Sequence, residues 1–194
     1  MTKIAVLGAG AAGTSIINSL KKTDNEIIVG IRDQSKFEGA VPIDEAIKNG
    51  QIVVFALPYQ VGYQIAEKYK AELAGKIVVD MMNPFKSDLS GYNTFAGKSG
   101  AEHLQDTLPD AQVVETFNHV DGPVLADPQG ALQFVIGDDE TATDQVTNLA
   151  NKAGFDAQTV LDLTKAREAE AFAFLWVYFS AVIKKNPNLK LKLE

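Results

Sequence analysis

The sequence predicts a Rossmann-type doubly wound α/β fold: a mainly parallel sheet with helices on both faces and a C-terminal helical appendage. Three observations predict it. Short apolar runs alternate with segments of helical period along most of the 194 residues. Ile52–Leu57 is a near-continuous apolar run, as a central parallel strand covered on both faces requires. A glycine-rich turn, Gly8 to Gly13, separates the first apolar run from the first helical segment.

The elements follow in order. Lys3–Leu7 reads as a strand that ends at Gly8, and Ile16, Ile17 and Leu20 then recur at helical spacing. Ile27–Ile31 is a second strand. Pro42 to Asn49 is a short helix with its proline at the start, where the missing N–H costs nothing. After the Ile52–Leu57 strand, Val61, Ile65, Tyr69 and Leu73 recur every four residues and predict a helix. Lys76–Asp80 is the fourth strand, and Met81 to Lys98 reads as loop, with Pro84, Gly91 and Gly97. Ser99-Gly100-Ala101-Glu102 has capping-box spacing and starts a helix through about Thr107. Gln112–Phe117 and Leu132–Ile136 are strands separated by a loop holding Gly122, Pro123, Pro128 and Gly130. Ala142, Val146, Leu149, Ala150 and Ala153 mark a helix, Gln158–Leu161 a short strand, and Leu163 to Lys184 a long helix. The tail, Leu189 to Leu193, alternates strictly and can form an edge strand. This divides the chain into a nucleotide-binding core, 1–140, and C-terminal helices and tail, 141–194, that pack on it.

Composition narrows the function classes. Eighteen basic and 25 acidic residues give a net charge of −7, which disfavours nucleic acid as a partner. There is no cysteine, so disulfides, thiolate nucleophiles and cysteine metal sites are excluded, and a cytoplasmic protein is the simplest expectation. No zinc or calcium spacing occurs; Asp138-Asp139-Glu140 reads as an acidic first helical turn. The apolar stretch Ala171–Ile183 spans 13 residues, short of the ~20 that cross a bilayer, so it predicts a buried helix and no membrane partner. Ile4–Ile17 is better explained by its motif glycines than as a signal segment.

Gly8-Ala9-Gly10-Ala11-Ala12-Gly13 matches GxGxxG between a predicted strand and a predicted helix, the context in which that pattern binds dinucleotides. Gly8 permits the tight turn, Gly10 the approach of a pyrophosphate, and Gly13 close helix packing. Strand two ends at Gly30-Ile31, followed by Arg32, where a guanidinium can stack on adenine and bind a 2′-phosphate, and Lys36 adds a second positive charge. Asp33 is the alternative, an NAD-type acid. Because no acid occupies the last residue of the strand, NADP is the expected cofactor.

Ligands in such sheets bind outside the carboxyl ends of the strands. Leu57 and Pro58 there face the pyrophosphate and nicotinamide ribose, and Asn83, Pro84 and Asn118 offer groups that orient the carboxamide or a second substrate. Asparagine also caps turns, so local capping is the other reading of Asn83 and Asn118. His119 is expected in a strand-tip loop facing the site, and His103 on a solvated helix surface. Arg167, Glu168 and Glu170 are either surface charges or an ion pair at the edge of the site.

With these residues placed, the chain resembles the coenzyme F420-dependent NADP oxidoreductase family over nearly its whole length. The resemblance rests on the glycine loop, Ile28-Val29-Gly30 with Arg32 and Lys36, Ala56-Leu57-Pro58, and Asp80 with Asn83-Pro84. It continues through Ser99-Gly100-Ala101-Glu102, Phe117-Asn118, Gly137-Asp138-Asp139, and Ala166-Arg167-Glu168 before Trp176. Ile31 and Asp33 depart from the family pattern, which has a small polar residue and a second arginine beside Arg32. The resemblance implies hydride exchange between NADP and the deazaflavin F420. A related unit in membrane metalloreductases passes electrons to a flavin. The expected activity is therefore an NADPH-dependent oxidoreductase with a deazaflavin or flavin acceptor and no side chain essential as acid or base. The alternatives are a non-catalytic NADP sensor and a reductase of small carbonyl or imine substrates. The all-apolar helix after Ala171 predicts a homodimer that covers it.

Overall fold

In the computed structural model, which describes residues 1–193, seven strands form one sheet in the order β2-β1-β3-β4-β5-β6-β7. They are β1 (Lys3–Leu7), β2 (Glu26–Gly30), β3 (Ile52–Phe55), β4 (Ile77–Asp80), β5 (Gln112–Glu115), β6 (Leu132–Gly137) and β7 (Asp156–Val160). All neighbours pair in parallel except β5 and β6, where Val114 lies opposite Gly137. The chain leaves β1 toward β2 on one side and returns to β3 on the other. The β1–β3 boundary, with Leu7 beside Phe55, is thus the switch point where such sheets open a crevice.

Strand alternation sends successive side chains to opposite faces. Ile4 and Val6 of β1 face a core that includes Ile16, Ile17 and Leu20 of α1 (Ala11–Leu20), Leu125 of α6 (Gly122–Ala126) and Val146 and Leu149 of α7 (Glu140–Lys152). Ala5 and Leu7 face the opposite core, with Ala46 and Ile47 of α2 (Ile43–Asn49), Ile65 of α3 (Tyr59–Lys68) and Leu104 of α5 (Gly100–Thr107). Both cores are continuous because β1 and β3 carry buried apolar residues on each face.

Several expectations are corrected in detail. The helix expected across Val61–Leu73 breaks at Tyr69 (φ −113, ψ 26) into α3 and α4 (Lys70–Leu73). β5 stops at Glu115, because Phe117 has φ 64, a left-handed conformation incompatible with a strand. The loop after it contains α6, with Pro123 in the first turn. The tail forms no strand; Leu191 accepts one backbone hydrogen bond from Leu132 at 2.8 Å. The sheet runs on past residue 140, since β7 pairs with β6 along its length. The long C-terminal helix is α8 (Ala166–Val177) followed by a π-helical segment, Tyr178–Lys184. It is not fully buried within the chain: Leu175 is 64% and Ile183 57% exposed.

Two contacts dock α8 beside the carboxyl edge. Arg167 donates to both carboxylate oxygens of Glu102, at 2.7 and 2.5 Å, and this bidentate pair holds Glu102 down to a pKa of about 2. Glu102 also closes the capping box with Ser99. Glu170, one turn further along α8, accepts from the Gly100 N–H at 2.6 Å. Its carboxyl is buried together with those of Asp80 and Glu115, which are register partners on β4 and β5. Desolvation raises all three, Asp80 to about 7 and Glu170 to about 8, with Glu115 well above the ordinary range. Mutual repulsion adds to the shift of Glu115 and Glu170; the Tyr63 phenol is raised chiefly by its own burial, with the same charges adding to it.

A carboxyl whose pKa is raised in the folded state stabilises the fold while protonated and loses that contribution as pH rises through the folded value. Thermal stability should therefore decline from about pH 5 to about pH 8.5. Glu115→Gln, which keeps the shape and removes one titration, should flatten that decline. Melting curves by circular dichroism across this range check it; an unchanged slope in the variant would refute the assignment.

Candidate active site at the carboxyl edge of the sheet

The glycine turn closes the tip of β1. Gly8 has φ +103, and its N–H donates to the Gly30 carbonyl at 3.0 Å, tying the turn to β2. A Cβ on Gly8 would stand 2.3 Å from the Ala56 carbonyl oxygen, and one on Gly13 would stand 2.3 Å from the carbonyl oxygen of Gly8. Neither position admits a side chain. Gly10 differs: it is exposed, and a Cβ there would meet nothing within 4 Å. Gly10 is the N-cap of α1, so the open space lies over the first N–H groups of that helix, Ala11 and Ala12, both exposed. Ala9 is half-buried at the start of the turn, its carbonyl accepting from the Thr14 hydroxyl at 3.2 Å. This geometry fits a pyrophosphate, whose charge the helix end favours.

The β2 tip carries the charges expected of an adenosine pocket. Arg32 is exposed and has no ion-pair partner among the described residues. Its turn is braced by Gln34, whose amide donates to the carbonyls of Ile31 and Arg32 at 2.7 and 3.1 Å. Asp33 is engaged locally: its carboxylate accepts from the Ser35 hydroxyl at 2.7 Å and backbone at 3.3 Å, and Lys36 lies 3.8 Å away. Those bonds lower its pKa, the serine hydroxyl contributing most. A carboxylate committed as the cap of a short turn is poorly disposed to take ribose hydroxyls, whereas the Arg32 guanidinium is free for a phosphate.

The remaining candidates group at the tips of β3, β4 and β5. Leu57 reaches the glycine turn, its Cδ2 3.0 Å from the Cβ position on Gly8, and Pro58 caps α3 beside it. Asn83 and Asn118 are joined, the Asn83 amide donating to the Asn118 carbonyl at 2.6 Å. The Asn118 side chain itself turns inward, its amide donating to the Glu115 carboxyl at 2.9 Å, and is buried. Pro84 is buried, and its carbonyl accepts from both the backbone and side chain of Asn93.

His119 does not sit in an open loop. It is 2% exposed, its Nδ1 is 3.3 Å from the Gln133 amide, and its ring packs against Phe134 and Phe172. Desolvation lowers its pKa to about 4, so it is neutral at physiological pH. The physical reason is its cover: Phe172 of α8 packs on one side of the ring and Phe134 of β6 on another, in the turn that follows Phe117 at φ 64. His103 is half-buried on the surface of α5, with one face of its ring stacked on Phe95, centroids 4.5 Å apart.

Sequence reasoning missed the wall of the site. Residues 81–98 are an ordered strap. Phe85 bridges to Tyr92, Phe95 to Lys98, and Asn93 donates to the Tyr59 hydroxyl at 2.9 Å. Aromatic contacts hold it at both ends, Phe95 against Tyr59 and Tyr63, Phe85 and Tyr92 against Phe174. Under it, beside Pro58 and Asn83, opens a cleft of about 440 Å³. The aromatic residues at irregular spacing in 85–95 were the only available signal. A smaller cavity, about 150 Å³, lies at the opposite edge among Thr2, Asn25 and Lys152, away from these loops.

Comparison with known proteins bears on this geometry. Residues 3–84 match the family described as NADP oxidoreductase, coenzyme F420-dependent. The F420-dependent NADP reductase of Methanocaldococcus jannaschii is 32% identical, across 90% of this chain and 91% of the relative. The metalloreductase STEAP3 of Rattus norvegicus is 30% identical, across 87% of this chain but 36% of its own length. A solved structure from Arthrobacter sp. FB24, provisionally described as an F420-dependent NADP reductase, superposes with a TM-score of 0.88 at 25% identity, covering both chains fully. With the glycine turn, the Arg32 tip and the Asn83-Pro84 loop in their expected order along one sheet edge, the chain belongs to the coenzyme F420-dependent NADP oxidoreductase family and is an NADP-dependent oxidoreductase.

Proposed function

We propose that the chain passes a hydride between NADPH and a ring acceptor, coenzyme F420 or a flavin. The observation that carries this reading is the juxtaposition of an open cradle at Gly10 and an aromatic-walled cleft under the strap on one sheet edge. When bound, NADPH supplies the hydride from its nicotinamide ring, and the acceptor ring takes it up together with one solvent proton.

The chain's residues bind and orient. In this reading Gly8 to Gly13 hold the pyrophosphate, Arg32 and Lys36 the 2′-phosphate, and Leu57-Pro58 the ribose. Asn83-Pro84 and Asn118-His119 form the floor, with His119 acting as a neutral wall beneath it. Residues 1–140 carry the nicotinamide cofactor, and α8 shapes the far side of the site. Holding two rings in register supplies rate through proximity, and no side-chain acid is required. The decisive assay follows the absorbance of NADPH with F420 and with flavins. Turnover with either sustains the proposal. Tight NADPH binding without turnover would make the chain a sensor, and turnover confined to carbonyl or imine substrates would replace the acceptor.

Arg32→Ala should weaken NADPH binding by roughly tenfold or more while changing NADH binding little, since a charge-assisted hydrogen bond contributes ~1.5–3 kcal/mol. Titration by the fluorescence of the bound reduced nicotinamide checks this; equal losses would remove Arg32 from the 2′-phosphate.

We also propose a homodimer through the C-terminal helix. Leu175, Tyr178, Phe179, Val182 and Ile183 are all at least 37% exposed, and no charge interrupts Ala171–Ile183. A second copy presents the same uncharged stripe, so a two-fold pairing is self-complementary. Sedimentation at micromolar concentration should give a dimer, and Leu175→Glu combined with Ile183→Glu should give a monomer. A monomeric wild-type chain would refute the contact.

A further inference from the structure

The cleft under the strap has an asymmetric charge. Among the residues that line it only Lys86 is charged, and the others it offers a ligand are the neutral groups of Gln60, Asn83, Ser87 and Asn93 and the rings of Tyr59 and Phe85. Lys86 is exposed and forms no ion pair among the described residues. The nearest acid in sequence, Asp88, forms no ion pair with it: its carboxylate accepts from the Ser90 N–H at 3.0 Å, a bond that lowers its pKa, and the Lys86 charge adds to that shift only from a distance. A cation left free in this way, in a chain of net charge −7, marks a place where a local group works against the field of the whole molecule.

The backbone that carries Lys86 is fixed. Its N–H donates to the Gly91 carbonyl at 2.9 Å, and its carbonyl accepts from Leu89 at 2.9 Å. Phe85, just before it, is held by Phe174 on one side and bridged to Tyr92. The lysine therefore projects from a rigid turn, with Tyr59 and Phe85 as apolar walls. A cleft of about 440 Å³ has room for a fused ring, since ligand pockets run from roughly 300 to 1,000 Å³. Walls that suit a flat ring and a single cation at the margin define an amphipathic ligand: aromatic at one end, anionic at the other.

We propose that Lys86 binds the anionic tail of the hydride acceptor, making Lys86 a specificity-determining residue for the acceptor. This rests on the hydride-transfer reading above. The ring lies in the cleft between Tyr59 and Phe85, and the tail leaves past Lys86 toward solvent. Arg32 and Lys36 serve the nicotinamide cofactor at the β2 tip, so the two anionic ligands have separate cationic anchors.

The test compares acceptors that share a ring and differ in the tail: FMN against riboflavin, and F420 against its chromophore stripped of the phosphodiester. Steady-state kinetics with NADPH should give a wild-type kcat/KM about tenfold or more higher for the phosphorylated member of each pair, the size of one charge-assisted hydrogen bond. In Lys86→Ala the preference should fall to within about twofold, through the acceptor KM, and Lys86→Arg should restore it. A wild-type preference near one, or a preference that survives in Lys86→Ala, would overturn the proposal. So would a loss confined to the KM of NADPH, which would assign Lys86 to the other cofactor's phosphates. If no acceptor is reduced at all, the hydride reading fails, and calorimetric titration of FMN and riboflavin decides the anion site separately. Tighter FMN binding that depends on Lys86 sustains it, and equal binding of the two removes it.

Discussion

The glycine turn leaves no room for a side chain on either side. Gly8 lies against the Ala56 carbonyl at the tip of β3, and Gly13 lies against the carbonyl of Gly8. That double contact sets the height of α1 over the sheet and the width of the β1–β3 crevice. It brings Leu57 to the turn and leaves Gly10 as the open position over the helix end. Every other feature of the carboxyl edge is built outward from it. The Arg32 tip is joined through the Gly30 carbonyl that accepts from Gly8, and Asn83 and Asn118 extend the edge along β4 and β5. The steric fit also explains why the motif has glycine at its first and sixth positions, Gly8 and Gly13, which the protein itself demands, while Gly10 between them stands open.

A second constraint closes the far side. α8 is held to α5 by the Arg167–Glu102 pair and by Glu170 on the Gly100 N–H. Breaking the buried Glu170–Gly100 bond costs more than the bond itself contributes, because it strands a carboxyl and an N–H away from water. The dock places Phe174 against Phe85 and Tyr92 and Phe172 against His119, so the position of one helix sets both the strap and the floor of the site. A dimer contact on the exposed side of that helix would reach the site through the same side chains.

How far the sequence could be read divides along physical lines. Periodicity reports burial, so the sheet, its helices and the capping box at Ser99 were legible, as was the glycine turn, whose spacing encodes a steric demand. The acidic start of α7 was legible too: Glu140 lies in its first turn, and Asp139 just before it is the N-cap, accepting from the Ala142 N–H. What depends on distant parts of the chain was not. Nothing in Phe117-Asn118-His119 announces the cover from Phe134 and Phe172 that buries the histidine, and an isolated histidine in a polar stretch reads as exposed. The strap looked like loop because its order comes from rings on α3, α5 and α8, far away in sequence. Asp80, Glu115 and Glu170 carry no mark of convergence, since each is an ordinary acid within its own segment.

The buried acids have a consequence for the charge the molecule presents. Asp80, Glu115 and Glu170 keep their protons in the folded chain at a pH where the same groups are ionised once unfolded. The formal charge of −7 and the isoelectric point near 4.9 count them as ionised in the ordinary way. The native molecule is therefore less acidic than its composition implies. Near neutral pH these three buried carboxyls therefore set a weaker repulsion against an anionic ligand than a count of residues would suggest.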